Sequence, residues 1–124
     1  MRILGFEKEW AKLEGNAFTT FRFERRDKDW MVGEQVQIII KPRSKNKKHR
    51  GIAQIISKEP RSPDAGFPLR NIPIISDEEA RLDGFEDYED MLNWLNESYG
   101  YNDRLMLEPM NKLTLTWLKR IRDL

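Results

Sequence analysis

The sequence predicts an α+β domain in which a small, strongly curved sheet with short flanking helices is closed by a returning C-terminal strand. Two observations set this class. Alternating apolar and polar residues mark strands in the first half, and the alternation returns near the C-terminus, whereas residues 76–98 carry helix-type spacing. The chain of 124 residues is one domain's worth, read as a single unit over residues 1–124, and is long enough to close a core without covalent staples.

Taken in order, Phe6, Trp10 and Leu13 recur at helical spacing, and Gly15 stands where a left-handed cap would end a short helix over residues 6–14. A strand over about 18–25 follows. It places Thr20 and Arg22 on one face and Phe21 and Phe23 on the other, because successive side chains of a strand alternate. Asp27, Lys28 and Asp29 break it, and Val32-Gly33-Glu34 turns the chain into a second strand over residues 35–41, where Val36, Ile38 and Ile40 alternate with glutamines. Pro42 ends that strand, and a basic loop leads to a third, isoleucine-rich strand over residues 51–58. Four prolines between Glu59 and Ile75 argue against regular structure there. Ser76 with Glu79 forms a capping-box pattern for a helix to about Leu82. After Gly84, residues 86–98 give an amphipathic helix with acids in its first turn and Gly100 beyond its end. Alternation over residues 112–118 favours a last strand, with helix left open for the final residues.

Composition excludes several chemistries. Cysteine is absent, which removes disulfides, thiolate metal sites and cysteine nucleophiles. His49 is the one histidine, so a multi-histidine metal centre is excluded, and no carboxylates are spaced for a metal; no metal and no cofactor are expected. The N-terminal apolar stretch is too short for a signal peptide and no run reaches membrane-spanning length, so a soluble, cytoplasmic protein without a membrane partner is expected. The net charge of +1 hides an asymmetry: residues 1–62 carry 15 Lys/Arg against 8 Asp/Glu, and residues 63–124 carry 7 against 13. A basic half is a hint of polyanion binding.

The combination of Gly15 with Thr20-x-Arg22, Val32-Gly33-Glu34 before an isoleucine-rich strand, and Ser76-Asp77-Glu78-Glu79-Ala80-x-x-Asp83-Gly84-Phe85 resembles the ASCH family from about Trp10 to Trp117. The resemblance implies a PUA-like β-barrel, an association with RNA, and a cleft lined by basic and polar side chains. Some members of that family hydrolyse the acyl group of N4-acetylcytidine, and others are nucleases. In the hydrolase branch the strand motif resembles Gly-x-Lys-x-x-Thr-x-Arg with a glutamate at the helix end. The matching positions here are Thr20, Arg22 and Asp83, while the lysine position falls on Ala17. A threonine hydroxyl needs a nearby base or positive charge to act as a nucleophile. Alanine supplies neither, and Arg22 stays protonated.

The expectation is therefore a domain that binds RNA or a modified nucleotide without catalysis. Thr20, Arg22 and Asp83 are the candidates for its cleft, where the guanidinium can grip a phosphate or base edge and the carboxylate can accept from an exocyclic amine. Lys41, Arg43, Lys45, Lys47, Lys48 and Arg50 are the candidates for phosphate contacts, and Trp30 or Phe67 for base platforms. Trp10, Trp94 and Trp117 are assigned to packing, His49 to no role, and Arg61 and Arg70 to the flanks of the proline-rich loop. The alternative is a hydrolase of acylated nucleosides or a ribonuclease with Thr20 and Asp83 as catalytic candidates.

Overall fold

The computed structural model describes residues 1–100 and 103–121. It shows an α+β fold whose five strands form one mixed sheet: β1 (Arg2–Phe6), β2 (Ala17–Phe23), β3 (Gln35–Ile40), β4 (Lys48–Arg61) and β5 (Met110–Arg120). The spatial order is β1-β3-β4-β5-β2, with β1 parallel to β3 and the remaining neighbours antiparallel. Three helices, α1 (Asp77–Asp83), α2 (Tyr88–Ser98) and α3 (Arg104–Leu107), lie between β4 and β5 in sequence.

Curvature comes from irregularities in the ladder. Register shifts between Ile38 and Ile39 in β3, and between Ile52 and Ala53 and between Ile55 and Ser57 in β4, each bend the sheet. The sheet curls into a half-barrel whose edge strands, β1 and β2, meet through side chains: the rings of Phe6 and Phe18 touch edge to face at 6.0 Å. Inside lie Leu4, Phe6, Phe18, Val36, Ile38, Ile40, Ala53, Ile55, Leu113 and Leu115. Strand alternation sends Phe21 and Phe23 the other way, into a second core with Ala80, Met91, Leu95, Leu105 and Met110. Phe18, Thr20 and Arg22 thus share the interior face of β2.

Several element boundaries differ from expectation. The segment 6–14 is not one helix: Phe6 ends β1, which pairs with β3 from Arg2↔Val36 to Phe6↔Ile40, and a single 3-10 turn covers Ala11–Glu14. The spacing of Phe6, Trp10 and Leu13 imitated a helix because all three pack on one core from consecutive elements. Gly15 is extended (φ −74°) and not left-handed. β4 runs through Pro60 to Arg61, beyond the end of its pairing with β3, so its far half ladders with β5 and proline is tolerated on the open side. The capping box of α1 is as expected: Ser76 Oγ accepts from Glu79 N at 3.1 Å and Glu79 Oε1 accepts from Ser76 N at 3.1 Å. The left-handed cap is found at Gly84, which closes α1. β5 is longer than the expected 112–118, and residues 122–124 lie outside the described ones.

Candidate polar site at the barrel seam

Thr20 and Arg22 point together into the seam between β2 and β1. The Arg22 guanidinium donates from Nε to Thr20 Oγ1 at 3.2 Å and from a terminal nitrogen to the carbonyl of Gly5 at 2.7 Å, so one side chain ties the two edge strands that no ladder joins. Its Cζ lies 4.8 Å from the Phe6 ring centroid. Asp83, at the end of α1, does not pair with Arg22. Its carboxylate accepts from Lys12 of the 3-10 turn, and Lys12 also donates to the Thr19 carbonyl at 2.8 Å. The Lys12 ammonium lies 5.2 Å from the Phe6 ring and 5.6 Å from the Trp10 ring. Trp10 in turn packs against Gly84, where a Cβ would come within 2.7 Å of the indole. Thr20, Asp83 and the Lys12 side chain are 4 %, 6 % and 8 % exposed, so this part of the cluster is nearly shut, and half-buried Arg22 is its outermost member.

Lys12 is the residue the sequence did not single out. Ala17, at the lysine position of the resembled motif, begins β2 and is exposed. An ammonium nevertheless reaches the carboxylate, from a turn five residues earlier in the chain. No local signal marks it, since a lysine one position before a buried leucine reads as a surface residue.

Burial dominates the electrostatics here. It raises the Asp83 carboxyl above its ordinary value against the pull of Lys12 and Arg22, and it lowers the Lys12 ammonium against the attraction of Asp83. Burial also lowers the Arg22 guanidinium, with Tyr99, Asp83 and Glu7 opposing. A raised carboxyl favours the folded state in acid and loses that contribution as pH rises, so Asp83 cannot drive acid unfolding. Glu79 behaves oppositely. Burial pushes it up, but Lys112 at 2.7 Å, the Ser76 N–H and Arg61 at 3.0 Å more than offset this and lower it. Its contribution is therefore complete above its ordinary value of 4.5 and is lost as pH falls below that. Glu79→Gln is expected to lower stability at neutral pH by about 1–3 kcal/mol. It should also flatten the loss of stability below pH 4.5, read from urea unfolding as a function of pH.

The basic residues lie on the β3–β4 hairpin, and its root is the seam. Lys41 N donates to the Phe6 carbonyl at 2.7 Å, and Pro42 packs so close to Gly5 that a Cβ there would fall 2.6 Å from its ring. Gly5 therefore carries Arg22 on its carbonyl and Pro42 on its Cα. The loop is built from two consecutive turns, closed by Ser44 N to Lys41 O at 2.9 Å and Lys47 N to Ser44 O at 3.3 Å. Lys41, Arg43, Lys45 and Lys47 are exposed and form no ion pair among the described residues. Lys48 lies 3.9 Å from Glu9, and Arg50 contacts the same carboxylate.

The other singled-out residues separate by burial. Trp30 is 4 % exposed, in the barrel core, with Arg2 and Arg25 over its ring at 4.5 and 5.2 Å, so it is a packing residue and not an exposed platform. Phe67 projects from the proline-rich loop at 57 % exposure. Arg61 is engaged by Glu79, whereas Arg70 and His49 are exposed. Trp10 and Trp117 pack against the barrel core and Trp94 against the helical one. No group of three or more metal-ligating side chains occurs among the described residues, and no described helix is long and apolar enough to cross a membrane. No protein-family model matches the chain, and no curated protein and no solved structure matches it either.

Proposed function

We propose that the chain is a PUA-like domain of the ASCH type that binds RNA or a modified nucleotide without catalysis. The observation that carries this reading is continuity. Four exposed hairpin cations, Lys41, Arg43, Lys45 and Lys47, are rooted on the strand end whose Gly5 carbonyl holds Arg22. Phosphates tracking the hairpin would be led to the Arg22 guanidinium, which offers planar donors to a phosphate or base edge. If these four cations contact single-stranded RNA, the log–log dependence of affinity on salt has a slope near −3. Filter binding over a salt series measures it. Replacement of all four by glutamine should abolish most of that slope, and no binding of wild-type protein to any RNA pool at low salt would remove the proposal.

A second reading is favoured by Lys12. Burial lowers the Lys12 ammonium, so it gives up a proton more readily than an exposed lysine, and it reaches the carbonyl of Thr19, the residue before Thr20. In that chemistry the Thr20 oxygen attacks the acyl carbonyl of an N4-acylated cytidine as its proton passes to Lys12 in the neutral form, Lys12 returns that proton to N4 as the C–N bond breaks and the free amine leaves, and water then hydrolyses the threonyl ester to the carboxylic acid and free Thr20. Incubation with N4-acetylcytidine decides between the readings. The non-catalytic reading expects no turnover, and turnover abolished by both Thr20→Ala and Lys12→Met would replace it by the hydrolase.

A further inference from the structure

Beside the 3-10 turn lies a cavity of about 300 Å³, walled by Trp10, Leu13 and Trp117, with Arg120, Glu9 and Glu14 around them. We propose that this cavity receives one base of a single-stranded RNA, with preference for bases that carry an exocyclic amine. The inference rests on the RNA-binding reading and deepens it by assigning a base pocket beside the phosphate track.

Three observations carry it. The cavity is joined to the hairpin: Glu9, in its wall, contacts both Lys48 and Arg50, and Ile121 N donates to the Arg50 carbonyl at 2.8 Å. A strand whose phosphates follow the hairpin therefore passes the cavity's edge. The walls suit a flat heterocycle. Indole and leucine surfaces supply apolar contact, and the Arg120 guanidinium is held 5.0 Å over Trp117 by the carbonyls of Glu14 and Gly15. Aromatic and guanidinium planes are the surfaces on which unpaired bases stack. Finally, the polar groups are of mixed sign. Glu9 and Glu14 can accept from the amine of cytosine, adenine or guanine, which uracil lacks. Trp117 Nε1 and Arg120 Nε are shielded donors without a hydrogen-bond partner among the described residues, an unusual condition for buried polar groups. A base carbonyl drawing either donor toward the cavity would relieve it.

Fluorescence anisotropy with short labelled oligo(C) and oligo(U) tests the proposal, alongside tryptophan quenching by the unlabelled strands. Oligo(C) should bind at least about fivefold more tightly than oligo(U). Glu14→Gln should bring the two toward parity, and Trp117→Phe, which keeps the packing against Phe18, should reduce the quenching. Glu9→Gln separates two roles of that carboxylate. Loss of base preference supports the pocket, whereas equally tighter binding of both strands, as expected if Glu9 merely neutralises hairpin cations, overturns it. Salt-dependent binding with no base preference and no quenching overturns the pocket while leaving the hairpin reading intact. Absence of binding to either strand overturns both.

Discussion

Asp83→Ala is expected to destabilise the fold by about 3–5 kcal/mol, because it leaves the Lys12 ammonium buried without its counter-charge. The Lys12 side chain is 8 % exposed and is enclosed by Phe6, Trp10 and β2, so it cannot reach water without moving the 3-10 turn. For a domain of this size that is a large share of the total stability. The double variant Lys12→Met with Asp83→Leu should recover much of the loss, since a buried pair replaced by apolar groups of similar volume is often tolerated. Urea unfolding of the wild type, both singles and the double closes the cycle. Equal losses in the double and in the sum of the singles would show that the pair is not coupled. The variants also separate scaffold from site: the double should fold and still bind RNA through the hairpin.

Gly51→Ala should cost about 3 kcal/mol or more, through a backbone effect that no surface property reveals. Gly51 has φ +132°, a conformation open to glycine and rarely to other residues, and a Cβ there would overlap the Lys119 carbonyl of β5. The position lies between two irregularities of the ladder, opposite Ile38 on β3 and Arg120 on β5. It is where the long β4 strand bends to make the half-barrel. Gly33 is a useful control. Its φ is +91°, but nothing lies within 4 Å of the site of its Cβ, so alanine there meets strain without a clash and should cost less. Thermal unfolding of the two variants side by side measures the difference.

Much of this architecture was legible in the residues. The division of β2 into a Thr20/Arg22 face and a Phe21/Phe23 face is a consequence of strand alternation, and the structure uses it to separate two cores. The Ser76/Glu79 box, the break at Gly84 and the turn at Gly33 are local devices whose chemistry lies within four residues, and each was readable for that reason, whereas the left-handed cap falls on Gly84 and not on Gly15. What was not legible is nonlocal. β1 is five residues long and owes its existence to a parallel partner more than thirty positions away. Lys12 meets Asp83 across seventy-one positions, a contact that depends on where a 3-10 turn leaves the chain after β1. Trp30 stands in sequence beside charged residues, yet the guanidinium groups of Arg2 and Arg25 lie over its ring and it is buried in the barrel core, through contacts that span up to twenty-eight positions.

The hairpin and the seam acting as one nucleic-acid surface can be tested most directly by titrating isotopically labelled protein with short single-stranded RNA and following both backbone amides and arginine Nε–H signals. Perturbations are expected to concentrate on residues 41–47 and on the Arg22 Nε–H. Shifts confined to the acidic helices α1 and α2, or to the hairpin with the Arg22 signal unmoved at saturation, would contradict it.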